Sequence, residues 1–298
     1  MVSKTIILLT AYIGSFGWLF AVQPPFWIAL IIWTCLGLLK SGIGMSIMHD
    51  ANHGAYSSNK KINALMGSSL HLLGGSIHNW KLQHNILHHT YTNITNMDDD
   101  IDSKLVLRLS PHFLLKKIHR LQYLYAFLLY SITTLYWVTF KDFVQFIKYT
   151  KNGVNTKSGK QNAALLFQII IIKLAYLGSL IGLPVYLGIP FWQVLTGFII
   201  MHFTAGLVLT LIFQLAHAVE GTTHPLPNKD GMIENNWAIH QMHTTVNFSP
   251  NNKWLSWYVG GLNFQVEHHL FPKICHVHYP KIAKIVKQTA QELSLIHI

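Results

Sequence analysis

Charge is what this chain lacks most. Only 11% of its 298 residues are Asp, Glu, Lys or Arg, against about 25% in a soluble domain; 51% are hydrophobic and the mean hydropathy is +0.32. The deficit is concentrated, because residues 5–39 and 174–219 contain no charged side chain at all. A soluble, apolar-cored enzyme does not accommodate such runs, whereas a helix needs about 20 apolar residues to cross the hydrocarbon core. Each block is long enough for two crossings and carries a turn signal near its middle, Gln23-Pro24-Pro25 and Gly188-Ile189-Pro190. Two transmembrane hairpins are expected. Cysteine is scarce too: Cys35 lies within an expected span and Cys275 in the tail. That excludes a disulfide framework and any zinc site built on Cys pairs. A cleavable leader is not expected, since the basic start is a single Lys4 and no small-x-small site precedes Pro24.

The formal charge of +11 would suggest nucleic acid in a soluble protein, but its placement argues otherwise. Neither hairpin turn has a Lys or Arg, while residues 104–160 carry ten. Basic loops stay on the cytoplasmic side, so the spans are expected at about 5–22, 26–48, 165–187 and 191–216, with 49–163 and 217–298 cytoplasmic. The basic loop serves orientation alone, lies along anionic headgroups, or meets an anionic substrate head. Residues 62–80, interrupted by Gly67, Gly74 and Gly75, read as a re-entrant or interfacial helix. Residues 123–140 are apolar enough to span, but parity opposes it. If all histidine pairs build one site, an even number of crossings separates them, and the second hairpin already supplies two. This segment is therefore expected in the interface. Lys173, near the start of the third span, is expected to snorkel. An amphipathic basic helix is expected from Tyr279 to about Gln291. The fold class is an all-α membrane protein with a cytoplasmic helical cap.

What the chain has in abundance is histidine, 19 residues. His84 and His88 fall one helical turn apart, on a face that can hold one ion, and His89 is rotated by roughly 100° towards another. His49 and His53 repeat the one-turn spacing, His268-His269 repeat the doublet of His88-His89, and His217 closes the fourth span. Eight imidazoles, with Gln265 as a ninth donor, exceed the four ligands of a zinc site and imply two metal ions. Imidazole suits zinc, copper, iron and nickel alike. Zinc hydrolysis lacks its His-Glu-x-x-His helix here. A pair of redox metals beside apolar segments suits O2 chemistry on a lipid chain, whose unactivated methylenes offer nothing to side-chain acids, bases or nucleophiles.

Three blocks, His49-Asp50-Ala51-Asn52-His53-Gly54, Gln83-His84-Asn85-Ile86-Leu87-His88-His89-Thr90-Tyr91-Thr92-Asn93 and Gln265-Val266-Glu267-His268-His269-Leu270-Phe271-Pro272, resemble the histidine boxes of membrane fatty acid desaturases in order and spacing. Gln265 in the third box resembles the front-end, linoleoyl-CoA-desaturase-like branch, and the Asp98-Asp99-Asp100-Ile101 and His119-Arg120 regions look like its bacterial members. The resemblance implies four transmembrane helices, a cytoplasmic cap and a histidine-bound di-iron centre that uses O2 and two electrons to introduce a cis double bond into an acyl chain. It implies His49, His53, His84, His88, His89, His217, His268 and His269 as iron ligands, with Gln265 and His240 as further candidates. Asp50 and Glu267 are then expected to orient imidazoles, and the acidic run 98–102 either to do the same or to cap a helix. The acyl group rides on a lipid, CoA or a carrier protein. The haem-binding His-Pro-Gly-Gly of a fused cytochrome b5 domain is absent, so electrons are expected from a separate ferredoxin or cytochrome b5 type donor. Relatives extend further at both ends, and Ser294-Leu295-Ile296-His297-Ile298 does not continue the family pattern. The rivals are a histidine-box hydroxylase or ketolase, and a membrane metal transporter or sensor; the latter would need ionisable residues lining a path through the spans.

Overall fold

The computed structural model describes residues 1–101 and 106–293, which leaves Asp102 and the closing Ser294–Ile298 outside the described residues. Within them the chain is helical, with no strand. Five helices are long and apolar enough to cross a membrane: α1 (Val2–Val22), α2 (Phe26–His53), α3 (Lys117–Lys151), α4 (Gly159–Tyr186) and α5 (Phe191–His217). Their unburied sides carry exposed apolar residues such as Ile6, Ile13, Phe167 and Leu174, a surface only lipid accommodates. The protein is a multi-pass membrane protein.

Both turn signals act as expected. Helix α1 ends where Gln23 turns left-handed (φ 45°) before Pro24, and Pro190 precedes α5. The two turns meet, Gln23 Nε2 donating to Leu187 O at 3.2 Å. A capping box of Ser158 and Gln161 starts α4, six residues ahead of the expected boundary, and α2 continues past Met48 through His53. Residues 62–80 are not one helix but short pieces, Lys60–Gly67, Ser68–Leu73 and Ile77–Trp80, whose Leu70 and Leu73 pack with Ile43 and Ile47 in the core.

Helix α3 lies against α5. At Gly206 an added Cβ would sit 2.3 Å from Ser131 O, so only glycine lets the backbones approach this closely. Both ends of α3 bond the loop that follows the central histidine run. Near its start, Gln122 accepts from Arg108 N at 2.7 Å and Tyr125 donates to Val106 O at 2.8 Å. Near its end, Tyr149 donates to Asp99 at 2.7 Å and Lys148 pairs with the same carboxylate.

Lys173 does not snorkel. It turns inward, where Asp142 of α3 (2.5 Å), Gly74 O (2.6 Å) and Trp137 O (2.8 Å) take its ammonium. An unbroken carboxylate partner within reach outweighs the path to the headgroups.

Candidate metal centre

Four stretches deliver the histidines to one place. Helix α2 carries His49 and His53 on its last turn, after a π-helical segment Ile43–Met48. A second π-helical segment, Lys81–His88, carries His84 and His88, with His89 opening the next turn. His217 ends α5. The helix Gln265–Leu270 carries Gln265, His268 and His269; it reaches α2 through Gly260, whose φ of +65° and whose hypothetical Cβ, 2.4 Å from Met45 O, admit no side chain.

Three sets of imidazole nitrogens each lie within 4.8 Å of one another: His49, His53, His84 and His268; His88, His217 and His269; and His89, His268 and His269. In these all-imidazole sets His84 and His88 are separate, but with Asp100 they also form a further set whose ligand atoms lie within 4.8 Å of one another.

Most of these imidazoles are held through Nδ1. His88 meets Asp98 at 3.0 Å, His268 the Tyr279 hydroxyl at 3.2 Å, and His269 the Gln241 amide oxygen at 2.7 Å. His84 faces Asp100 at 3.5 Å, and His217 faces Thr244 O at 3.4 Å. The opposite nitrogens of His53, His88, His268 and His269 are buried without a hydrogen-bond partner, as are both nitrogens of His89. Buried polar atoms are rarely left so. A ring fixed by an Nδ1 partner and offering Nε2 inward is the arrangement of a metal ligand. His49 and His84 turn their Nε2 atoms to each other at 3.2 Å, the separation of two donors to one ion.

The electrostatics agree. Burial, reinforced by neighbouring imidazoles, holds His89, His268 and His269 well below the ordinary histidine pKa. Burial also pushes His84 down to about 3 against the opposing pull of Asp100. They are neutral, the form that binds metal. His88 is the exception: burial opposes its charge, but Asp98, with help from Asp100, outweighs burial and raises its pKa. Asp98→Asn, which keeps the shape and removes that charge, is expected to weaken metal binding about tenfold to a hundredfold. Metal retained after dialysis against a chelator measures it, and wild-type retention would remove the orienting role.

Other expected residues lie differently. Gln265 donates from Nε2 to His217 Nε2 at 2.8 Å and leaves Oε1 buried without a partner. His240 is buried with an unpartnered Nε2 but belongs to none of the sets; its neighbour Gln241, which the sequence did not single out, is the one that reaches the centre. Asp50 turns from His49, 3.7 Å away, to His276 at 2.8 Å. Glu267 accepts from Asn247 at 2.8 Å rather than orienting an imidazole. Asn93, also not singled out, ties the end of α5 to the cap by donating to His217 O and Thr244 O. A cavity of about 370 Å³ opens beside His49, His84 and Gln265 and is walled by Met48, Leu209 and Phe213.

The model of the fatty acid desaturase family matches residues 25–298. The chain is 37% identical to the sn-1 linoleoyl-lipid 6-desaturase of Synechocystis sp. over 298 residues, which cover 99% of this chain and 82% of that protein. It is 35% identical to the enzyme of the same description from Arthrospira platensis, over 99% of this chain and 79% of that one. An acyl-lipid (8-3)-desaturase of Physcomitrium patens is 32% identical over 100% of this chain and 62% of its own length.

Proposed function

The chain belongs to the fatty acid desaturase family and is a membrane fatty acyl desaturase, and we propose that its histidines hold two iron ions at the head of an acyl-lipid pocket. His49, His53, His84 and His268 hold one ion, and His88, His217 and His269 the other. His89 stands between them, and Gln265 adds its amide oxygen beside His217; we leave His240 out of the ligand set. Unpartnered imidazole nitrogens from three separate stretches, gathered beside a cavity that His49 and His84 line, are the observation that carries this reading.

Bound iron supplies, with O2, two electrons and two protons, the oxidising power that takes one hydrogen from each of two neighbouring methylenes and leaves a double bond and two waters. The chain's own residues do the rest. Asp98, Asp100, Tyr279 and Gln241 fix the imidazoles. Met48, Leu209 and Phe213 exclude water and present the methylenes.

In this proposal α1, α2, α4 and α5 cross the bilayer and α3 lies along the cytoplasmic interface. Two observations support it: both ends of α3 bond the loop that follows the central histidine run, and the ten basic residues fall between 104 and 160. The active centre then faces the cytoplasm, where a separate ferredoxin or cytochrome b5 type protein delivers electrons. The substrate is a linoleoyl chain of a membrane glycerolipid, attacked at carbon 6, a choice supported by what the two cyanobacterial relatives are named for.

Expression in a host without polyunsaturated lipids tests this. The expected product is lighter than its precursor by two hydrogens, and the purified protein holds two irons per chain. A product heavier by one oxygen would make it a hydroxylase, and zinc alone after iron-replete expression would overturn the di-iron assignment.

A further inference from the structure

A buried polar cluster outside the three nitrogen sets joins the two ends of the chain beside His49. Lys4, at the start of α1, donates from Nζ to His276 Nε2 at 2.8 Å. His276 Nδ1 and its backbone N both reach one oxygen of Asp50, at 2.8 and 3.2 Å. The other Asp50 oxygen lies 3.7 Å from His49 Nδ1. All four side chains are buried. Asp50, Cys275 and His276 also bring ligand atoms within 4.8 Å of one another. Both His276 nitrogens are already engaged, however, so the cluster is a support and not a further metal site.

The directions of these bonds follow from the donors available. An ammonium only donates, so His276 Nε2 accepts and the ring hydrogen sits on Nδ1, where it goes to Asp50. Lys4 thus supplies, through a neutral imidazole, the charge that matches a buried carboxylate; without it that carboxylate would be costly to hold. The second oxygen of Asp50 is left for His49, whose Nδ1 is buried without a hydrogen-bond partner and whose Nε2 faces that of His84. His88, His268 and His269 have Asp98, Tyr279 and Gln241 behind them. Behind His49 stands Asp50, and behind Asp50 stand two residues that the metal centre does not otherwise use.

We propose that Lys4 and His276 are positioning residues of the metal centre: they hold the Asp50 carboxylate against His49 Nδ1 and so fix the ring that donates to the ion. A carboxylate behind a ligand imidazole sets its orientation and raises its basicity. An apolar contact would dock α1 on the cap at less cost than a buried lysine, so the polar link argues for orientation rather than adhesion. The first membrane helix then takes part in the centre through a residue far from any histidine box. The inference rests on the metal-binding reading of His49.

The full-length protein in detergent, loaded with iron and dialysed against a fixed amount of chelator, tests this by the metal retained per folded chain. Cobalt(II) loaded in place of iron reports the ligand field in its visible spectrum. Lys4→Met, which keeps the reach of the side chain and removes the donor, and His276→Phe should each lower retention about threefold to tenfold, below the range of a direct partner, and shift the cobalt bands. Lys4→Arg should keep wild-type values of both. In Asp50→Asn the further change His276→Phe should cost nothing more, because the two act through one contact. A role confined to docking α1 on the cap would lower the yield or melting temperature of Lys4→Met, leave retention and spectrum at wild-type values and make the two changes additive; that outcome overturns the inference. Two irons held equally by the wild type, Lys4→Met and His276→Phe overturn this inference alone, whereas a wild type that holds neither iron nor cobalt overturns the metal reading with it.

Discussion

With His268 replaced by alanine, the protein is expected to stay in the membrane and to lose desaturation completely. His268 belongs to two of the three nitrogen sets, and its ring centroid lies 4.5 Å from that of His49, 5.0 Å from His53 and 4.7 Å from His89. It is fully buried, with Nδ1 on Tyr279 and Nε2 without a partner. Removing it takes one of the four donors of the first proposed ion, so the loss should exceed the tenfold to hundredfold typical of a missing supporting partner. Tyr279→Phe removes only such a partner and should stay within that range. An ordinary buried histidine behaves otherwise: its loss lowers the yield of folded protein and leaves each folded molecule as active as before. Activity and iron, both expressed per folded chain, separate the two cases. Full activity with two irons in His268→Ala would end the ligand assignment.

The uncharged blocks gave away the two hairpins because hydrocarbon tolerates little charge, a constraint visible in composition alone. The histidine boxes were equally legible as spacing. What spacing does not encode is the helix type, and Ile43–Met48 and Lys81–His88 are both π-helical. His84 and His88 fall in different all-imidazole sets and share a further set with Asp100. The partners of the imidazoles were only half legible. Asp98 lies within an acidic run and ten residues from His88, close enough to suspect. Gln241 and Tyr279 come from elements far along the chain, and nothing in an amide or a phenol announces that it will meet a histidine. Glu267 misled for the opposite reason: adjacency in sequence on a helix turns neighbouring side chains roughly 100° apart, so it found a partner on another element, while Asp50 stays 3.7 Å from His49 Nδ1 and bonds His276 as well. Lys173 was read from hydropathy, which sees the cost of a charge in a span but not a carboxylate 31 positions away.

That carboxylate, Asp142, carries the second large effect. It is fully buried and takes the Lys173 ammonium, Ser76 N at 3.1 Å and Trp137 Nε1 at 3.3 Å. Its backbone oxygen takes Asn79 Nδ2 at 2.7 Å. Ser76 caps the helix Ile77–Trp80, which runs directly into the segment bearing His84 and His88, so one node fixes α3, α4 and the base of the central histidine run. Breaking a buried pair from one side leaves the other charge unmatched and costs about 3–5 kcal/mol. Asp142→Leu alone and Lys173→Met alone should each lower thermal stability in detergent by that order and reduce activity with it, because the histidine segment loses its footing. Replacing both removes the unmatched charge, and apolar pairs of similar volume are often neutral in such positions. The double variant should therefore be markedly more stable than either single one. If it instead equals the sum of the two losses, the pair is not coupled, and the anchoring of the histidine segment rests on Ser76 and Asn79 alone.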